Sequence, residues 1–341
     1  MIERLEVHTI WNEAAYNSFT DLIRFRGRWL CAFREGTGHL SLDGALRVIS
    51  SEDGESWSTV ASIPCPETFQ DLRDPQLSIT PDNRLMLNAA AFKPVCQSMM
   101  WLSDDGCDWG THHLVGPRGS WLWRAVWHRG VAYSFGRHEP KDHLLQFYRS
   151  TDGVEYRAHG EPRVGTCPCN ESDLLFLDDA TCVSLTRCDG GNALLGRAAP
   201  PYDTWTWTDL GVRIGGPALL RLPDGRTIAA VRLYEPRQRT ALCWLDLESA
   251  ALTEFLTLPS GGDTSYAGMV WHDDLLWLSY YSSDDYLTSM KVAIRAHLKT
   301  SVYLAKVRFQ PPAAMLHSAS FDPATRRTPA PGTALSHAGQ K

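Results

Sequence analysis

Three short stretches are variants of one polar turn closed by an aromatic residue: SSEDGESW at 50–57, LSDDGCDW at 102–109 and RSTDGVEY at 149–156. They begin 52 and 47 residues apart, and a fourth variant, APPYDTWTW at 199–207, falls about one step later. A period near 50 residues is the signature of four-stranded sheets repeated around an axis. The residues between the turns agree with this. Helical periodicity is nearly absent, and short alternating apolar runs are punctuated by Gly, Asp and Pro.

Each period divides into four strands, the first into TDLIRF, RWLCAF, GALRVIS and SWSTVASI. The sixth holds only three, YAGMVWH, LLWLSYY and TSVYLAKVRF, while the N-terminal IERLEVHTIW belongs to no period. The sequence therefore predicts an all-β fold, a six-bladed β-propeller over residues 1–309 with the N-terminal strand closing the last blade. Closure of this kind leaves no raw sheet edge. Residues 282–299 interrupt the pattern and read as a short helical insertion, and the Pro/Ala-rich stretch 310–341 reads as a poorly ordered tail.

In SSEDGESW the Gly supplies a positive φ, Asp or Ser side chains bond the turn's own backbone, and Trp57 caps the blade. The turn joins the third strand of a blade to the fourth, so it lies on the face opposite the loops leading into first strands and out of second strands. Chemistry is expected on that other face.

Composition narrows the partners. A net charge of −6 and a pI near 6.0 give no clustered basic surface for nucleic acid or an anionic membrane. No apolar run approaches the about 20 residues needed to span a bilayer. The start carries no basic and apolar leader, and nine irregularly spaced cysteines read as reduced cytosolic thiols, so a cytoplasmic protein is expected. Cys167-Pro-Cys169 is a close pair but lacks the second pair a zinc site needs, and neither a metal nor a cofactor is expected.

The loops assigned to the functional face concentrate Arg34, His39, Asp43, Arg73, Asp74, Arg124, Glu171, Arg187, Arg232, Asp263 and Tyr266. Unpaired charge is costly to bury, so several arginines around one axis point to an anionic ligand. Structural alternatives exist for single members. Arg73 can clamp its loop through Asp71 or Asp74, Arg34 can pair with Glu35, and His39 can be a solvated loop residue.

On these segments the chain resembles the sialidase superfamily over about residues 10–309. SSEDGESW resembles the Asp-box of those proteins, with Ser50, Gly54, Ser56 and Trp57 matching and Glu52 at the usual Asp position. Glu171 and Arg187 look like the glutamate and arginine of the fourth blade. Arg232 resembles a second arginine that binds the substrate carboxylate. Tyr266, in GDTSYAGMVW, takes the place of the tyrosine nucleophile. AFREGTGHLSLDG resembles the segment bearing the acid/base aspartate, with Asp43 the nearest counterpart and His39 a competitor. The first-blade arginine is missing, since NSFTDL stands in its place.

The resemblance implies a glycosidase for an acidic sugar or similar anionic small molecule. Tyr266 would be the nucleophile, Glu171 its base, Asp43 or His39 the acid/base, and Arg187 and Arg232 the clamp. Arg34, Arg73, Asp74, Arg124 and Asp263 would be further substrate contacts. A lyase using His39 and Tyr266, or a carbohydrate-binding propeller without chemistry, fits the same pocket.

Overall fold

A computed structural model describes residues 2–138, 144–165, 168–283 and 298–310. The predicted insertion, for the most part, and the tail beyond Gln310 lie outside the described residues, as does Cys167.

Strand β1 (Ile2–Trp11) precedes blade one, which comprises β2 (Tyr16–Phe25), β3 (Arg28–Gly36), β4 (Ala45–Ser51) and β5 (Ser58–Ile63). Blade two comprises β6 (Asp71–Ile79), β7 (Leu85–Phe92), β8 (Gln97–Ser103) and β9 (His113–Val115). In blade three the innermost strand is split into β10 (Ser120–Leu122) and β11 (Val126–His128). It continues through β12 (Val131–His138), β13 (Leu144–Ser150), β14 (Arg157–Ala158) and β15 (Arg163–Val164). Blade four is β16 (Cys169–Phe176), β17 (Cys182–Cys188), β18 (Leu194–Ala198) and β19 (Thr206–Asp209). Blade five is β20 (Ile214–Arg221), β21 (Thr227–Leu233), β22 (Arg239–Asp246) and β23 (Ala251–Thr257). Blade six is β24 (Thr264–His272), β25 (Leu275–Ser283) and β26 (Thr300–Phe309), completed by β1, which pairs antiparallel with β26 from Ile2↔Phe309 to Trp11↔Val302. The predicted six-bladed propeller and its N-terminal closure are the observed topology.

Alternation in these strands buries one face against each neighbouring blade. An apolar cluster therefore fills each seam: Leu30, Val48, Leu87 and Trp101 between blades one and two, and Trp29, Phe33, Trp277 and Leu304 between blades six and one. The polar turns close the third-to-fourth hairpins. Ser51 Oγ accepts the Gly54 N–H at 2.8 Å, and Asp53 Oδ1 accepts the N–H groups of Glu55 and Ser56. Ser103/Asp105 and Ser150/Asp152 repeat the pattern. The functional register is thus S-x-D-G with Asp53, one residue later than the Ser50/Glu52 reading, because only Asp53 can reach the two N–H groups that follow Gly54.

Nearest the axis, the first strand of five blades carries a β-bulge, with register shifts at Ser18/Asp21, Arg73/Gln76, Cys169/Ser172, Gly215/Ala218 and Ser265/Gly268. In blade three the break between β10 and β11 takes that place. Four residues at these sites adopt the left-handed conformation: Phe19 (φ 57°), Asp74 (54°), Gly216 (52°) and Tyr266 (52°). Bulges re-aim side chains next to active sites. Here they place Phe19, Asp74, Trp123, Glu171, Gly216 and Tyr266 at equivalent positions, each three residues before an apolar strand residue: Leu22, Leu77, Val126, Leu174, Leu219 and Met269.

Candidate active site

Polar, ionisable members of this ring come from alternate blades, namely Asp74 (two), Glu171 (four) and Tyr266 (six). Apolar members or glycine stand between them. Gly216, between Glu171 and Tyr266, is the smallest, and a Cβ there would lie 3.0 Å from Ser265 Oγ and 3.2 Å from the Tyr266 ring. The gap lets two side chains 95 residues apart in sequence meet, and the Tyr266 hydroxyl donates to Glu171 Oε1 at 2.6 Å. Arg187 Nη1 donates to both Glu171 oxygens at 2.7 and 2.9 Å and lies 3.4 Å from the Tyr266 hydroxyl. The Gly216 N–H completes the shell of Glu171 at 2.9 Å.

These contacts set the charges. Burial would push the Glu171 carboxyl up, but the Arg187 guanidinium, with help from Tyr266 and Gly216, holds it below its ordinary value. Burial and the Glu171 charge push the Tyr266 phenol well above its ordinary value, against Arg187 and Arg232. Tyr266 is therefore a neutral phenol hydrogen-bonded to an ionised carboxylate.

Arg232 lies with its guanidinium 5.3 Å from the Tyr266 ring centroid, donating to Thr264 O at 2.7 Å and the Tyr281 hydroxyl at 2.8 Å. One terminal nitrogen each of Arg187 and Arg232 has no protein partner among the described residues, which leaves them able to grip a carboxylate. Aromatic walls surround them. Trp123, Phe19 and Tyr281 have ring centroids 6.0, 4.9 and 6.2 Å from that of Tyr266.

A second network adjoins the first through Phe19 and Tyr281. Asp263, fully buried, accepts from Tyr16 at 2.6 Å and Tyr281 at 3.1 Å. Its Oδ2 lies 3.4 Å from His39 Nδ1, which also contacts the Tyr16 hydroxyl. Against burial, His39, Arg232 and Tyr16 hold Asp263 ionised below the usual carboxylate range. His39 is thus oriented by a carboxylate through one ring nitrogen, while its other nitrogen has no partner among the described residues. Asp263, expected as a substrate contact, has both oxygens engaged by protein groups, Tyr16 and His39 on one and Tyr281 on the other, with Arg232 at 3.9 Å.

Other candidates fall elsewhere. Asp43 is exposed, and its oxygens accept the Thr37 N–H of its own loop at 3.1 and 3.2 Å. Arg34, expected to bind substrate, is completely buried. It donates to Asp71 at 2.9 Å, Gly38 O at 3.1 Å and Ser41 O at 2.9 Å, so its charge is spent fixing the loop that carries His39. Arg73 pairs with the same Asp71 and lies 5.2 Å from the Phe92 ring centroid, with its terminal nitrogens unpartnered among the described residues. Arg124, also expected to bind substrate, is engaged by protein groups of other blades. Pushed inward by the break in the first strand of blade three, it donates to Asp21 Oδ1 and Ala267 O, both at 3.0 Å, and faces Asp173 at 3.7 Å.

Asp74 is the unusual member. It is 5% exposed, and neither oxygen has a hydrogen-bond partner among the described residues. Burial, with the Glu171 and Asp71 charges, pushes it up to about 8 against the pull of Arg73 and Arg34, so it is a neutral acid at pH 7. Because its folded value lies above the unfolded one of about 3.9, the folded state binds the extra proton, and stability falls as pH rises from about 4 to 8. Asp74→Asn is therefore expected to raise stability by roughly 2–4 kcal/mol at pH 8 and by almost nothing at pH 4. Thermal unfolding at the two pH values checks this, and an equal change at both would show that Asp74 folds ionised.

Among the described residues, no three His, Cys, Asp or Glu side chains converge as a metal site, and no helix is long and apolar enough to cross a membrane.

Comparison with known proteins gives fold relatives only. No family model matches the sequence, and no curated protein matches it. Among solved structures, the chain is similar to a protein of unknown function from Dyadobacter fermentans DSM 18053, with a TM-score of 0.71 and 17% identity over 90% of this chain and all of that one. It is similar to Trypanosoma rangeli sialidase in complex with the inhibitor DANA, with a TM-score of 0.70 and 12% identity over 93% of this chain, and spans 62% of that chain. It is also similar to Penicillium chrysogenum alpha-L-arabinanase complexed with arabinobiose, with a TM-score of 0.64 and 12% identity over 87% of this chain and 97% of that one. The chain thus has the propeller fold found in these glycosidases.

Proposed function

We propose that the chain is a glycoside hydrolase acting on a carboxylate-bearing sugar by double displacement at Tyr266. The observation that carries this reading is the buried Tyr266–Glu171–Arg187 contact, assembled from two blades around a glycine. A phenol, with a free pKa of about 10, is a poor nucleophile at neutral pH unless a base takes its proton during attack. Glu171 is that base. Using a neutral phenol in place of a second carboxylate avoids repulsion with an anionic substrate, and tyrosine nucleophiles are one known exception to the two-carboxylate rule of glycosidases.

Arg187 and Arg232 supply the carboxylate clamp. No arginine from blade one reaches the pocket, where Tyr16, Phe19 and His39 stand instead, so the clamp is narrower than a three-arginine one. His39, oriented by Asp263, is better placed than Asp43 to protonate the leaving oxygen and then activate water.

The test is release of 4-methylumbelliferone from a panel of α- and β-linked conjugates of sialic acid, uronic acids and the matching neutral sugars. The expected result is turnover of one carboxylate-bearing conjugate at least about 100-fold faster than its neutral counterpart, the order of a buried charge-assisted pair. Faster turnover of the neutral sugar would overturn the clamp. An unsaturated, ultraviolet-absorbing product would replace hydrolysis with elimination, and binding of a glycan without turnover would leave a lectin.

A further inference from the structure

Cys169 and Cys188 are register partners across β16 and β17. Both are buried, and their sulfurs are 3.2 Å apart. Their position ties them to the site. Glu171 sits on the bulge that begins after Cys169, and Arg187 immediately precedes Cys188. On the far side of the bulge, the Thr186 hydroxyl bonds Ser172 Oγ at 3.0 Å, so the bulge is clamped at both ends, by two thiols and by two hydroxyls. Arg163 Nη1 donates to Cys169 Sγ at 3.1 Å. The attacking species in thiol oxidation is the thiolate, which a neighbouring cation favours and burial opposes.

We propose that Cys169 and Cys188 are an oxidative modification site, forming a reversible disulfide whose state sets the geometry of Glu171 and Arg187. The co-reactant is a two-electron peroxide oxidant such as hydrogen peroxide. One thiolate attacks a peroxide oxygen, cleaves the O–O bond and becomes a sulfenic acid, and the hydroxide released takes a proton to become water. The second thiol attacks that sulfur, forming the S–S bond and expelling a second water. Two thiols are oxidised by two electrons, and one peroxide is reduced to two waters.

Closing the bond brings the sulfurs from 3.2 Å to about 2.05 Å, a displacement on the order of 1 Å at the rung next to the bulge. Glu171 holds Tyr266 and Arg187 through contacts of 2.6 to 2.9 Å, and hydrogen bonds weaken steeply when stretched or bent beyond such values. The cross-link itself does not depend on the proposed hydrolase activity; its effect on turnover does.

The full chain is incubated with hydrogen peroxide under native conditions, over hours because burial slows attack, and then digested and mapped by mass spectrometry. The expected product has lost two hydrogens and links Cys169 to Cys188, is reversed by dithiothreitol, and is absent in Cys188→Ala. Turnover is expected to fall at least tenfold with the link and to return on reduction, while Cys188→Ala stays active through the same treatment. Absence of the link in folded wild type, or a link to another cysteine, overturns the site. A link with unchanged turnover overturns its coupling to Glu171 and Arg187. If no substrate is turned over, mass mapping still decides the cross-link, so failure of the hydrolase reading is distinguishable.

Discussion

Tyr266→Phe is expected to abolish turnover of the carboxylate-bearing conjugate, with a loss on the order of 10³-fold or more in kcat. The substitution removes one oxygen and leaves the ring, which packs against Phe19 at 4.9 Å and beneath Arg232 at 5.3 Å. Substrate binding should therefore survive, and the loss should fall on kcat and not KM. Glu171→Gln should lower kcat by about 10²–10⁴-fold, the range for removal of a general base. It should cost more stability than Tyr266→Phe, because it takes the buried carboxylate from Arg187 and leaves it Asp189, at 3.0 Å and itself partly exposed. The double variant should be scarcely slower than the worse single one, since phenol and carboxylate act as a unit. Wild-type kcat in Tyr266→Phe would remove Tyr266 as nucleophile. A proportionate rise in KM with kcat unchanged would reduce it to a substrate contact.

The blade count was legible because the repeat is written in turn residues whose chemistry is local. Ser51, Asp53 and Gly54 satisfy one another within a few residues, so the sequence displays them directly. The closure by β1 was legible as a missing fourth strand. The aromatic wall was not. Phe19, Trp123 and Tyr281 are ordinary apolar residues in strand runs, and the left-handed bulges that aim Phe19, Asp74 and Tyr266 occupy non-glycine positions that propensity does not mark. One signal was available: aligning first strands on their apolar anchors, Leu22, Leu77, Val126, Leu174, Leu219 and Met269, puts the six axial residues in one column, three positions upstream. Nor could the sequence divide the arginines. Arg34, Arg124, Arg187 and Arg232 all lie near first-strand starts or second-strand ends. Whether such a charge faces ligand or protein depends on carboxylates from other blades, such as Asp71 for Arg34 and Asp21 for Arg124. His39 and Asp43 were separable only once the loop was seen folded, with Asp43 turned to its own backbone and His39 to Asp263.

Arg124→Met is expected to destabilise the fold by about 3–5 kcal/mol at pH 7.5, the cost of stripping a buried charge network of one partner. The loss follows from the reach of this side chain. Arg124, from blade three, donates to Asp21 of blade one and Ala267 O of blade six, and faces Asp173 of blade four. Asp21 in turn accepts the Leu77 N–H of blade two at 2.7 Å, and Asp173 accepts the Leu219 N–H of blade five at 2.6 Å. One guanidinium and two carboxylates therefore join all six blades across the axis, where Gly268 lets blade six approach Leu22 so closely that a Cβ would sit 1.9 Å from its backbone nitrogen. Burial already pushes both carboxyls up, with Arg124 the chief opposing influence. Without Arg124 their folded values rise further above the unfolded one of about 3.9, so stability drains away as pH increases from about 4. The defect should accordingly be small at pH 4 and full at pH 7.5. Adding Asp21→Asn and Asp173→Asn should restore much of the loss at the higher pH by removing the unpaired charge while keeping acceptors for Leu77 and Leu219. Lysine at 124 should fall short of wild type, because one compact ammonium nitrogen cannot span the groups on three blades that the separate nitrogens of the guanidinium reach. An unfolding midpoint for Arg124→Met equal to wild type at pH 7.5 would show that the blades are held by their apolar seams alone.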